Sequence, residues 1–336
     1  EQKFYSVEGK LVQTTQYGYG DSFVETYYDR NEKLFQQIDY KPSKTDTLLL
    51  FKHYNGKTYT ENPYKFGIKH GPYKAYFFNG KLETEGAYLN GDQHGPWNWY
   101  FENGKPRVKV NYVLGNIDGK LLRYHENGQL EDEDYYEMGL SVGTSKSYNE
   151  DGSLYSTTEY RDGDKHGRQV FYNADGKLQL IRFYEHGTLI GYSHMGKDGQ
   201  ELAMVPIVNQ TAKITAYYDN GNISRDLEYR NGQNEGVYKT YYYDGQLKDE
   251  FNVLNDEYNG PRLSYYPNGK LKSQSEYLIG KQHGKATKYY EDGTLKEEAN
   301  FKNGLQTGSA ISYDKTGKKT KIEEYYNGYI YSQQTF

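Results

Sequence analysis

The sequence predicts an all-β fold, an elongated, single-sheet antiparallel meander or solenoid of about thirteen 24-residue β-hairpin units. Three observations predict it. Glycines recur on a 24-residue lattice at Gly71, Gly95, Gly119, Gly143, Gly167 and Gly191; after a three-residue slip the lattice resumes at Ala212 and runs through Gly236, Gly260, Gly284 and Gly308. A second glycine follows nine residues after each lattice point, as at Gly80, Gly104, Gly128 and Gly152, most often behind Asn or Asp, and a third follows after twenty. Apolar anchors recur between them: Tyr at offset five (Tyr76, Tyr100, Tyr124), Leu at offset eleven (Leu82, Leu130) and Tyr at offset seventeen (Tyr88, Tyr112).

Each part of the unit follows from local chemistry. The runs between turn signals are too short for helices and rich in Tyr, Thr, Phe and Val, so they read as two strands per unit. Asn-Gly and Asp-Gly between the strands are hairpin signals, because Gly accepts positive φ and Asn tolerates it. Pro267-Asn268-Gly269 fits a three-residue loop, a type I turn followed by Gly in the left-handed region. In that register offset five lies opposite offset eleven. Offset seventeen is six residues further on, and the expectation is that all three anchors line one aromatic face while the other face is wet. The segment between the third glycine and the next lattice glycine, as in Asn90-Gly91-Asp92-Gln93-His94-Gly95, reads as the return loop. An unbent ribbon of such units would span on the order of 120–130 Å, which twist and coiling shorten.

The register reaches upstream through Gly67 and Gly56 to Tyr28, Leu34 and Tyr40, where Asn31-Glu32 replaces Asn-Gly, and the spacing of Gly9 and Gly20 matches it at the start. The chain divides into an N-terminal array over 1–190, an irregular short unit over 191–211 and a C-terminal array over 212–336.

Composition narrows the class. Tyr supplies 41 of 336 residues, while mean hydropathy is −1.05. A thin sheet suits Tyr, which buries a ring and keeps its hydroxyl in reach of water. Net charge is −5 with both signs interspersed, so no basic block points to nucleic acid or anionic lipid. No apolar stretch is long enough for a transmembrane helix. With no cysteine, disulfides, thiolate metal sites and cysteine catalysis are excluded. A start at Glu1 rather than Met is the pattern of a chain after signal-peptide removal, so an exported protein, periplasmic or at the cell surface, is expected, with a cytoplasmic one as the alternative.

The stretch from Tyr76 through Phe77-Phe78-Asn79-Gly80-Lys81-Leu82 to Tyr88-Leu89-Asn90-Gly91, followed by His94-Gly95-Pro96-Trp97, resembles the MORN-repeat variant family, whose members include YwqK-like antitoxin components. The resemblance covers nearly the whole chain and is specific for the repeat. It implies a hairpin per repeat and roles in binding, scaffolding or membrane association.

No catalytic, metal or cofactor set emerges, and GxxxxGK[ST], GxSxG and HExxH are absent. His70, His94, His166 and His283 each precede a lattice glycine, which makes them a feature of the repeat rather than a ligand cluster. A thin sheet also offers no deep pocket of the usual kind. Two places remain as candidate partner-binding sites. Trp97 and Trp99, the only tryptophans, share a strand face; the plainer reading is a larger filler. Tyr192, Met204, Val205 and Ile207 belong to the irregular unit, where Pro206 should break pairing or sit on an edge; the plainer reading is a kink. The function expected is a non-enzymatic scaffold or adaptor that binds another protein, without nucleic acid or cofactor, in a bacterial envelope or surface assembly. An antitoxin that neutralises a partner, or a repeat protein associating with membrane or cell wall, is the alternative.

Overall fold

The unit over 71–94 shows how the sequence makes the fold. In the computed structural model, which describes residues 1–6, 9–18, 22–41 and 47–336, strand Gly71–Tyr76 pairs antiparallel with strand Leu82–Leu89. Gly20 lies outside the described residues. At the tip, the Phe77 N–H donates to the Lys81 carbonyl at 2.8 Å and the Gly80 N–H to the Phe77 carbonyl at 2.7 Å, with Gly80 at φ 91°. This is the expected three-residue loop, and the Pro267-Asn268-Gly269 tip repeats it. The residue before the glycine has two tasks. Asn103 accepts from the Lys105 N–H at 2.9 Å and donates to the Glu126 carbonyl of the next tip at 3.1 Å. At the other end, Asn90 and Gly91, at φ 52° and 99°, form a two-residue return turn whose twist matches that of the flanking strands. Glu32, standing where glycine is expected, takes the same left-handed conformation at φ 59°.

Pairing within the hairpin departs from the expected register in one respect. Tyr76 does face Leu82, but Ala75 faces Thr84, so Glu83 at offset twelve has no partner and forms a bulge. The same shift recurs in the later hairpins, for instance between Trp99 and Tyr100 and between Ser264 and Tyr265. One extra residue reverses the alternation of side chains. The three anchors therefore do not share a face. Tyr at offset five lies with offset fourteen of the preceding unit: the Tyr76, Tyr100 and Tyr313 hydroxyls donate to Glu61, Glu85 and Glu298 at 2.7–2.8 Å. Tyr at offset seventeen lies on the opposite, inner face with offsets two, four, thirteen and fifteen. That face holds both buried clusters, one around Trp97, Val110 and Leu121, the other around Phe171, Leu180, Leu189, Ile214, Ala216, Leu227 and Tyr229.

The meander is laid down in three sheets. The first has four strands, Gln2–Tyr5, Leu11–Tyr17, Phe23–Tyr28 and Leu34–Tyr40. The second runs from Thr47–Lys52 to Val205–Pro206, and the third, of 12 strands, from Ala212–Tyr217 to Tyr329–Thr335. The ladders form an open succession and are not closed into a barrel. Between the second and third sheets Pro206 pairs with Gly191 as the last residue of a two-residue edge strand, where its missing N–H costs nothing.

The last two sheets double back on one another. Lys272 Nζ lies 4.0 Å from Glu150 Oε2, and Lys321 Nζ 3.4 Å from Glu102 Oε2. From Glu150 to Glu102 is two units toward the N-terminus, and from Lys272 to Lys321 two units toward the C-terminus. The Tyr54 and Tyr331 rings then meet at 5.4 Å. The arms thus run side by side in opposite directions from the junction between the second and third sheets.

Candidate functional site

The structure places the sequence-predicted site residues in unlike surroundings. Trp97 is 2 % exposed and belongs to the core. Its ring stacks on Tyr73 and Trp99, and its Nε1–H donates to the Ala87 carbonyl at 3.1 Å. Opposite it stands Gly86, where a Cβ would come within 2.2 Å of the indole. Trp97 is thus buried, while Trp99 beside it is half-buried. Tyr192 and Ile207 pack against the second core cluster, while Met204 and Val205 are exposed beside the junction. The histidines before the lattice glycines are repeat features: the His94 N–H donates to the Ala87 carbonyl at 3.0 Å and the His283 N–H to the Glu276 carbonyl at 2.8 Å. Among the described residues, no group of three or more His, Cys, Asp or Glu is placed to hold a metal ion.

Doubling back builds two features that the repeat pattern does not announce. The first is a buried polar knot near the junction. Arg225, 1 % exposed, donates to Gln179 Oε1 at 2.9 Å, Tyr238 at 2.8 Å and Tyr155 at 3.1 Å, and lies 3.9 Å from the Phe171 ring centroid. Arg182, also buried, donates to Asn234 Oδ1 at 3.2 Å. Among the described residues neither guanidinium has a carboxylate within ion-pair distance; phenol, amide and ring faces take the place of a counter-ion. Burial pushes the Tyr238 phenol up, but the two guanidinium groups more than offset it and hold it below its ordinary value.

The second is a cleft of about 770 Å³ where the C-terminal hairpin closes over the N-terminal ones. Tyr27, Phe51, Tyr59, Tyr64 and Tyr73 line it from one side, and Leu305, Asn327, Tyr329 and Ile330 from the other. The rings hold each other: Tyr59 meets Tyr329 edge-on at 5.9 Å and Tyr27 meets Phe51 at 6.0 Å. Gln36 seals the gap between the first and second sheets, donating to the Leu50 carbonyl at 2.9 Å and accepting from the Lys52 N–H at 3.0 Å. The expectation that a thin sheet has no pocket is corrected here, because the pocket belongs to the meeting of two layers.

Electrostatics set what this cleft can do. Burial pushes the Tyr54 and Tyr73 phenols up to about 12. Tyr59 is raised by burial, and Tyr27 by burial and by its bond to Glu25. Burial holds the His53 imidazole below its ordinary value, partly offset by its bond to the Tyr76 carbonyl. All these phenols stay protonated near neutrality. They donate hydrogen bonds and present ring faces, which is the chemistry of recognition. The sequence signal for the cleft is faint: the wall rings Tyr73, Tyr27, Phe51, Tyr59, Tyr64 and Tyr329 lie at offsets two, four, four, twelve, seventeen and twenty-one of their units, and only seventeen is an anchor.

A tandem array of stacked β-hairpins, each sharing its ladder with the next and carrying its tips in a row, defines a repeat protein. The repeat is that of the family described as MORN repeat variant, which matches residues 69–90, 93–113, 117–138, 141–162, 165–186, 234–255, 258–278 and 282–303, more than half of the chain. The chain belongs to that family. No curated protein matches the sequence. Among solved structures, a TcdB2-TccC3 assembly without its hypervariable C-terminal region is similar over 99% of this chain and 22% of that one, at 11% identity and a TM-score of 0.16. A mutant Tc holotoxin pore of Photorhabdus luminescens is similar over 96% and 20%, at 11% identity and 0.14. The chain spans about a fifth of the length of either.

Proposed function

We propose that the protein is a non-enzymatic scaffold that binds a partner protein in the aromatic cleft between its first hairpins and its last. The observation that carries the reading is the cleft itself, about 770 Å³ and walled by Tyr and Phe from hairpins far apart in sequence. Its size and mixed lining suit an inserted segment of another chain. The repeat array serves as the rigid frame that brings the walls together. An exported envelope or surface assembly is the proposed setting: a chain without cysteine has no thiol to oxidise outside the cell. Fractionation that recovers the protein in the cytosol would remove that setting.

The cleft is tested with a photo-crosslinking side chain. Placed at Tyr329, 50% exposed on the cleft wall, it should give a discrete adduct in cells; placed at Val237, 45% exposed and away from the cleft, it should not. No adduct at Tyr329, or equal labelling at both, would overturn the reading.

A further inference from the structure

Among the described residues, the cleft lining carries one acid. Glu25 stands in the middle of strand Phe23–Tyr28, with Tyr27 two residues on, and both line the cleft. Its carboxylate accepts from the Tyr27 hydroxyl at 2.8 Å and from Gln13 Nε2 at 3.3 Å. A carboxylate has about four acceptor positions, so two donors leave roughly half of them open. Among the described residues no Lys, Arg or His lies within ion-pair distance of it. A half-buried carboxylate among aromatic rings, with one donor on each oxygen and no cation beside it, keeps acceptor capacity that an occupant of the cleft can use.

The surroundings select what completes it. Tyr27 and Tyr64 both feel the Glu25 charge, and the other groups that act on these two phenols are themselves phenolic. Ring faces and phenol oxygens favour positive charge. The two lysines of the lining are otherwise disposed: Lys69 Nζ lies 4.8 Å from the Tyr88 ring centroid, and Lys52 is exposed. The net charge of −5 favours the approach of a cationic partner. We propose that the cleft binds a basic segment of a partner protein, one Lys or Arg side chain of which completes the hydrogen bonds of Glu25 between the rings of Tyr27 and Tyr64.

An ammonium or guanidinium group brings the N–H donors that the carboxylate and phenol oxygens can accept; a quaternary ammonium brings none. The volume of the cleft is far greater than one such side chain needs, so neighbouring residues of the segment enter with it. The assignment rests on the cleft being the partner site, and its test separates the two.

Fluorescence polarisation of the full chain with a short labelled peptide alternating Lys and Ala should show binding that weakens as salt is raised. Glu25→Gln keeps the shape and an acceptor for Tyr27, and should weaken binding by about tenfold or more. Lys52→Glu adds a negative charge at an exposed lining position and should tighten it, which keeps the proposal open to test if Glu25→Gln fails to fold. A trimethyllysine peptide should bind more weakly and an alternating Glu-Ala peptide not at all. Equal affinity of Glu25→Gln and the parent, or of the acidic or trimethylated peptide and the Lys peptide, would overturn the assignment. If the Tyr329 adduct persists in that event, the cleft remains the partner site and only its charge preference is lost.

Discussion

Ile279 holds φ at 47° in an exposed return turn, a conformation that a β-branched side chain resists and that Asn90, Asn231 and Asn303 adopt in the equivalent turns. With 67% of its surface in water it gains little from burial. Ile279→Asn should therefore stabilise the chain by about 1 kcal/mol in urea unfolding, and a loss of stability would show that the side chain has a contact that matters. The phenols make a second prediction. Tyr54, Tyr73 and Tyr242 are pushed up to about 12 from an ordinary 10.0, foremost by burial. A raised folded-state value means that the folded chain keeps protons the unfolded chain gives up. Their contribution is whole below pH 10 and drains away as the pH climbs toward 12. Thermal melts should fall steeply over that window, and a flat profile there would show that these phenols add nothing to stability.

At the scale of the element, the sequence was legible where one residue type has one job. The tip glycines, the Asn before them and the return turns follow from φ and from amide geometry, and the hairpins stand where those residues place them. The bulge was not legible. Offset twelve is Glu83, Arg107, Glu131, Tyr155 and Gln179 in successive units, so nothing in the residue type marks it, yet it decides which side chains are inside. The candidate site was hidden for a related reason: Arg225, Tyr155 and Glu25 are departures from the repeat, and only contact across two layers gives them meaning. Removing Arg225 should show this. Arg225→Ala strands the acceptor of Gln179 and frees two half-buried phenols, so it should cost roughly 3 kcal/mol or more and open the Met204–Val208 segment further to proteases. Unchanged proteolysis would mean that the knot does not hold the junction.

For the whole molecule, the question is what keeps two arms together. Lys272–Glu150 and Lys321–Glu102 are partly solvated, and pairs of that kind contribute about 0–1 kcal/mol each. The ring contacts at Tyr54, Tyr59, Tyr329 and Tyr331 and the knot around Arg225 are not screened in the same way. Small-angle scattering should accordingly give the same radius of gyration in dilute buffer and at about 1 M salt. Expansion in salt would assign the closure to the ion pairs instead.

Opposed arms also constrain how such a gene can lengthen. Within a straight row, duplicating a unit is neutral to every neighbour, because each hairpin repeats the last. Here the unit of Glu102 must meet that of Lys321, and the unit of Glu150 that of Lys272. A copy inserted between them on one side alone would slide every cross-contact beyond it out of step. Homologues of different length should therefore differ by matched insertions, one before the junction and one after.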